Sequence, residues 1–306
     1  MLRALFIYLS ESRSLRAVAE RSSLGQRVSA RFVAGTQVED VLRVTRAVNQ
    51  LGQSVSIDNL GENVTNAGEA RASAALYHRL LDDIASQGLN GNISLKLTHM
   101  GLDVDEGLAR ELVSGLVTKA AALKSFVRVD MEGSPYTQRT LDFVRELHRQ
   151  PGNRGVVGTV IQSYLYRSEA DVYHLIGDGI RIRLCKGAYK ESPEIAFQKK
   201  SEVDANYVKL MKILMNSGIY HGLATHDENI IKQAKTFAIR ENIARDAFEF
   251  QMLYGIRRDL QRRLVREGWG MRVYIPFGTE WYPYFMRRLA ERPANVFFIL
   301  RNLFRA

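Results

Sequence analysis

The sequence is short of the residues that build several common kinds of site. It has one cysteine, Cys185, among 306 residues, which excludes an internal disulfide and a zinc site made of cysteines. Its six histidines show no H-E-x-x-H spacing, and no metal site is predicted. No uncharged apolar run approaches the roughly 18 residues that a membrane-spanning helix needs. This cysteine usage favours a cytoplasmic protein.

The glycine-rich turn of dinucleotide-binding sheets is also missing. A doubly wound nucleotide-binding sheet would carry G-x-G-x-x-G after its first strand. The nearest such turn, at residues 60–63, has one glycine followed by an acid. This argues against that architecture, and any dinucleotide would have to be held by other means.

Positive charge is concentrated near the carboxyl terminus. The net charge is +10, and residues 255–306 contain 11 arginines, four acidic residues and no lysine. Such an excess of positive charge is also found in proteins that bind nucleic acids, but no zinc-finger spacing, basic zipper or aromatic RNA-binding pattern accompanies it. No nucleic-acid partner is expected, because arginine also suits the carboxylates and phosphates of small ligands. Salt-sensitive binding to DNA or RNA would support the alternative.

Eight short β-rich runs alternate with longer amphipathic stretches after about residue 50. Strands that alternate with helices indicate a parallel sheet, and eight such units indicate a closed barrel. The candidate strands are residues 54–59, 92–97, 126–131, 156–163, 180–185, 220–225, 248–252 and 272–276.

The predicted fold is therefore α/β, a (β/α)8 TIM-like barrel preceded by N-terminal helices. Apolar residues at helical spacing predict a helical arm over residues 1–50, and the barrel takes residues 51–292. An apolar tail with interspersed arginines follows at residues 293–306. Such a tail either packs on the barrel or contacts an anionic membrane surface.

Polar side chains collect at the predicted carboxyl ends of the strands, where barrels of this kind carry their function. One interpretation is structural, because charges inside a barrel can neutralise one another, and alternation places Arg128 with Asp130 and Arg181 with Arg183. The concentration of polar residues at the same end of the predicted strands favours a site. These residues are Lys96, Asp130, Glu132, Gln162, Arg183, Lys186, Thr225, His226, Glu249, Gln251 and Tyr274.

A helix predicted to begin near residue 278 carries a possible anion clamp. Tyr284, Arg287 and Arg288 share one helical face, because neighbours on a helix lie at i+3 and i+4. Two guanidinium groups on one face can grip a carboxylate with paired hydrogen bonds. A solvated basic face is the alternative interpretation.

Taken together, these segments resemble the proline dehydrogenase family over about residues 50–295. The R-L-x-K-G-A-Y run and the Y-x-x-R-R helix are the most specific motifs. The matching runs are S-L-K-L at 94–97, V-D-M-E at 129–132, R-L-C-K-G-A-Y at 183–189, A-T-H-D at 224–227, F-E-F-Q-M-L-Y-G at 248–255, and the stretch from Tyr274 to Arg288.

The resemblance implies a barrel that binds FAD non-covalently at the strand carboxyl ends and oxidises L-proline to Δ1-pyrroline-5-carboxylate. Asp130 and Arg183 would be catalytic, with Arg183 near flavin N5. The substrate residues carried over are Lys96, Arg287 and Arg288 for the carboxylate, and Tyr274, Tyr284, Ala188, Tyr189 and Leu253 around the ring. The cofactor residues are Met131, Gln162, Arg183, Lys186, Gly187, Ala188, Thr225 and His226.

The resemblance also implies partners. Electrons would pass to a membrane quinone, and a separate pyrroline-5-carboxylate dehydrogenase would consume the product, as for the single-function bacterial type. The expected location is the cytoplasm, with peripheral contact at the inner face of the cell membrane. The rival enzyme on the same barrel is a Schiff-base aldolase that uses Lys96 or Lys186.

Overall fold

Eight parallel strands close into a barrel in sequence order, from β1 next to β2 round to β8 next to β1. The computed structural model describes Ser22 and residues 29–282, 284 and 286. The strands are β1 Ser54–Asn59, β2 Gly91–Leu95, β3 Val127–Val129, β4 Val157–Gln162, β5 Arg181–Cys185, β6 His221–Ala224, β7 Phe248–Leu253 and β8 Gly270–Phe277.

Helices follow β1 to β7 and surround the barrel. Those after the first strand are α2 Ala67–Ser86, α3 Glu106–Ala122, α4 Ser134–Arg149, α5 Ser168–Gly177, α6 Lys200–Met215, α7 Glu228–Arg240 and α8 Arg258–Arg266, and α1 Val38–Asn49 precedes β1. No helix in this described part of the chain is long and apolar enough to cross a membrane.

The main core lies between the strands and the inward faces of these helices. In α2, Tyr77, Leu80, Leu81 and Ile84 are buried, at the spacing that places residues on one helical face. All six residues of β4 are buried, as expected for a parallel strand covered on both sides.

Helix α1 packs against both β1 and β8. Its buried face carries Val38, Val41, Leu42 and Val48. The helix therefore covers the seam where the last strand meets the first. The rest of the predicted arm, residues 1–21 and 23–28, lies outside the described residues, as does the predicted tail at 293–306.

The predicted barrel is confirmed, and most strand boundaries differ from the predicted ones by one or two residues. The sequence pattern predicts a helix over residues 138–149. Helix α4 begins four residues earlier, at Ser134, because Pro135 occupies its first turn, where a missing N–H is harmless. Strand β8 begins at Gly270, two residues before the predicted start, because its pairing with β7 outweighs the poor strand preference of glycine.

Candidate active site

A buried ion pair joins two of the predicted catalytic residues at the carboxyl-terminal side of the barrel. Arg183 Nη1 lies 2.6 Å from Asp130 Oδ1, and the two residues are 6% and 8% exposed. Asp130 follows β3, and its backbone N–H donates to the carbonyl of Leu95. The parallel register therefore brings the end of β3 within reach of the middle of β5.

The other nitrogens of Arg183 are also bonded. Its Nε donates to Gln251 Oε1 at 2.6 Å, and its Nη2 donates to the hydroxyls of Ser56 and Ser94, each at 3.1 Å. These acceptors come from β7, β1 and β2. The guanidinium is thus fixed from several sides of the barrel, and its orientation does not depend on one neighbour.

Tyr274 completes this group from β8. Its hydroxyl donates to Asp130 Oδ2 at 2.9 Å, and the Arg183 guanidinium carbon lies 5.1 Å from its ring centroid. Burial and the nearby carboxylates of Asp130 and Asp58 raise the pKa of Tyr274 well above its ordinary value. Tyr274 therefore remains a protonated donor to Asp130.

Lys96 lies just after β2 and pairs with Asp58, whose Oδ2 is 3.4 Å from Nζ. Burial alone would lower the pKa of Lys96, but the carboxylates of Asp58 and Asp130 raise it above the ordinary value. A Schiff-base lysine must lose its proton before it attacks a carbonyl. The pairing therefore argues against Lys96 as the nucleophile of an aldolase.

Sequence reasoning missed Asp58. It is 1% exposed near the end of β1, beside Tyr77, whose hydroxyl donates to the Ser94 carbonyl at 2.8 Å. The available signal was an acid one residue before the end of the predicted strand at 54–59. In the structure it lies opposite Ser94 in the register. With Asp58 included, Lys96, Asp130, Arg183 and Tyr274 form one charged group.

A second polar group lies at the ends of β5 and β6. Lys186 Nζ is 2.5 Å from Asp204 on α6 and 3.0 Å from Asp227, the residue before α7. Thr225 Oγ1 accepts from the Asp227 N–H at 3.1 Å. His226 Nε2 accepts from the Leu253 N–H at 3.0 Å, which places a ring proton on Nδ1.

Two further predicted cofactor residues, Gln162 and Met131, lie at the carboxyl ends of β4 and β3. Gln162 ends β4 at 3% exposure, and its amide donates to the Glu132 carbonyl at 3.0 Å. The Glu132 carboxylate accepts from the Thr98 hydroxyl at 2.6 Å. Met131 is 7% exposed. These contacts hold the segment after β3 against the neighbouring strands.

Gly187 forms a turn that another residue could not form. Its φ is +110°, and a Cβ there would lie 2.4 Å from the Tyr164 ring. A side chain would therefore be strained by both conformation and contact. The next two predicted residues, Ala188 and Tyr189, are exposed in the same loop, while Leu253 is partly buried at the end of β7.

The segment after β8 is described in part. Trp281, Tyr282, Tyr284 and Met286 are helical and buried. Arg287 and Arg288, the predicted carboxylate clamp, lie outside the described residues.

A cleft of about 450 Å³ opens beside the carboxyl ends of β1 and β8. Its lining includes Asn59, Glu62, His99, Gly278 and Glu280. This volume falls in the range of small-molecule sites. Among residues 29–282, no group of three or more metal-ligating side chains is arranged to hold a metal ion.

Comparison with known proteins decides the family. The model of the family described as proline dehydrogenase matches residues 41–301. The chain is 41% identical over 302 residues to "Proline dehydrogenase 2" of Bacillus subtilis (strain 168), covering 98% of each chain. The chain belongs to the proline dehydrogenase family. It is 37% identical over 301 residues to "Proline dehydrogenase" of Deinococcus radiodurans, covering 95% of this chain and 97% of the relative.

Solved structures agree on the fold of this proline dehydrogenase family member. The chain is similar to proline utilization A from Bdellovibrio bacteriovorus inactivated by N-propargylglycine, with a TM-score of 0.83 and 23% identity. The match covers 94% of this chain and 36% of that one, so it is evidence for the barrel alone. The family predicted from the motifs is confirmed.

Proposed function

We propose that the protein oxidises L-proline to Δ1-pyrroline-5-carboxylate with FAD bound non-covalently at the carboxyl ends of the strands. The observation that carries the proposal is the buried Asp130–Arg183 pair, joined by Tyr274 and flanked by Lys96. It places fixed charges at the end of the barrel where such enzymes carry out their chemistry.

The donors present near this pair fit FAD. Gln162, Arg183, Lys186, Thr225 and His226 supply amide, guanidinium, ammonium, hydroxyl and imidazole groups along β4 to β6. A flavin ring and a diphosphate are rich in acceptors and negative charge, which such donors suit. We assign these residues, with Met131, Gly187 and Ala188, to the cofactor.

Bound FAD would supply, at flavin N5, an acceptor for the hydride at C5 of proline. The protein must hold the substrate ring in place while this happens. We assign the carboxylate to Lys96, Arg287 and Arg288, because several cations fix both its charge and its orientation. Tyr274, Tyr284, Ala188, Tyr189 and Leu253 would enclose the apolar ring.

Asp130 is assigned to hold Arg183 and Tyr274 in position. Each carboxylate oxygen accepts from one of them, so one residue fixes both. Arg183 then presents a cation whose direction is fixed. A fixed cation stabilises an electron-rich reduced cofactor without reorganisation during the reaction.

We further propose that the electrons pass to a membrane quinone and that a separate pyrroline-5-carboxylate dehydrogenase consumes the product. The protein would act in the cytoplasm, at the inner face of the cell membrane. Flotation with vesicles that contain anionic lipid, at two salt concentrations, tests this location.

Replacement of Lys96 tests whether this residue binds the carboxylate of proline. With FAD-loaded enzyme and a dye as electron acceptor, Lys96→Met should raise KM for proline at least ~10-fold, as expected when a charge-assisted contact worth ~1.5–3 kcal/mol is lost. Lys209→Met is the control, because Lys209 pairs with Glu169 on the surface. An unchanged KM in Lys96→Met would remove Lys96 from the substrate site.

A further inference from the structure

A second cavity lies near the amino-terminal side of the barrel and shares Arg183 with the proposed active site. Its volume is about 30 Å³, and four arginines line it: Arg128 on β3, Arg181 and Arg183 on β5, and Arg272 on β8. Glu249 is the one acidic side chain in the described lining. A volume of roughly 10–15 Å³ already accommodates one water molecule, so the cavity has room for a small ion.

The described side chains around this cavity carry more positive than negative charge. Arg183 pairs with Asp130, and Arg272 Nε lies 2.6 Å from Glu249 Oε1. Arg128 and Arg181 form no ion pair with any residue that the structure describes. Two positive charges are therefore left over at the cavity.

Arg128 is the more buried of these two residues, at 5% exposure. Its Nη1 donates to the carbonyls of Thr159 and Arg181, at 2.8 and 2.7 Å. Its Nε and Nη2 make no hydrogen bond within residues 29–282. A buried arginine with unused N–H groups beside a cavity is costly unless something accepts from them.

The pKa values of neighbouring side chains are shifted in the direction expected near positive charge. Burial and the Arg183 guanidinium lower the pKa of Arg128. Burial, Arg128 and Arg181 together lower the pKa of His221 to about 3, so this ring is neutral. The guanidinium carbons of Arg128 and Arg181 lie 4.7 and 5.4 Å from the Phe126 ring centroid. This contact stabilises a cation but leaves its charge unbalanced.

We propose that this cavity binds one small monovalent anion of the halide class, such as chloride, which accepts from the free N–H groups of Arg128 beside Arg181 and Arg272. Phe126, Arg181 and Tyr220 are only partly buried, which gives the ion a path from solvent. The proposal does not depend on the reaction that the protein catalyses.

The bound anion would stabilise a network that reaches the proposed active site. Arg272 bonds to Glu249, Glu249 accepts from Gln251 Nε2 at 2.6 Å, and Gln251 accepts from Arg183. An anion beside Arg272 would therefore stabilise the position of Arg183 through Glu249 and Gln251. The expected consequence is a more stable fold in halide.

The test compares the melting temperature of the FAD-loaded protein in sodium chloride, sodium bromide and sodium gluconate at equal ionic strength. We expect a rise of ~2 °C or more in either halide, largely lost in Arg128→Met. Arg181→Gln, at a partly exposed position, should lose part of the rise and still fold. Arg154→Gln, at an exposed arginine, should keep all of it.

Crystals grown in bromide provide a direct readout. Anomalous density for bromide beside Arg128 would support the proposal, together with a halide effect that depends on Arg128. Equal melting temperatures in halide and gluconate, a halide effect that survives both Arg128→Met and Arg181→Gln, or density for water alone would overturn it.

Discussion

Removal of the Asp130 carboxylate should cost far more stability than removal of a surface acid. In Asp130→Ala, the 6%-exposed Arg183 loses its ion-pair partner, and Tyr274 loses the acceptor of its hydroxyl. An uncompensated buried charge costs about 3–5 kcal/mol. Both lost hydrogen bonds are to a carboxylate, and at ~1.5–3 kcal/mol each they would account for about 3–6 kcal/mol, which is similar to the cost of the unpaired charge.

The measurement is the free energy of unfolding from urea titration of the wild type and Asp130→Ala, each without FAD. Asp142→Ala is the matched control, because Asp142 is exposed and accepts one hydrogen bond from Gln138. We expect less than ~1 kcal/mol for the control. A loss below ~1 kcal/mol in Asp130→Ala would refute the idea that this pair is buried and coupled in the folded protein.

Three further predictions concern other positions. The pKa of His221 is lowered from 6.5 to about 3, so this ring stays neutral in the folded state while the unfolded state gains a proton below pH 6.5. The free energy of unfolding should therefore be highest above pH 6.5 and fall by up to ~3 kcal/mol towards pH 4. The unfolding of His221→Gln should depend less on pH in this window, whereas the exposed-site control His174→Gln should match the wild type. Gly187→Ala should lose at least ~1 kcal/mol of stability and retain less FAD, because of its φ of +110° and the contact with Tyr164. Gly177→Ala should retain FAD normally, because an added Cβ there would meet no atom within 4 Å. The proposed reaction needs a neutral proline amine, so kcat/KM should rise between about pH 6 and 9, and a flat profile would count against it.

The barrel could be predicted because each strand carries its own local signal. The eight β-rich runs were separated by amphipathic stretches, and closure followed from their number and parallel order. The boundary errors at Gly270 and Pro135 arose where pairing or helix-end geometry outweighed single-residue preference. Such effects depend on neighbours in space, which periodicity does not report.

Part of the candidate site could be predicted for the same reason. Strand ends identified Asp130, Arg183 and Tyr274, and the fold brought them into one group. The pairing of Lys96 with Asp58 could not be predicted, because it depends on the register of β1 and β2. Arg128 was predicted to share a face with Asp130, but the cavity beside it results from the packing of six strands.

The most direct test of the central claim is an anaerobic absorbance titration of the FAD-loaded protein with L-proline. We expect a flavin band at about 450 nm that bleaches as proline is added, and that bleaches much less at the same proline concentration in Lys96→Met. A flavin band that is indifferent to proline would contradict the proposed substrate, and a protein that cannot be loaded with FAD would contradict the proposed cofactor.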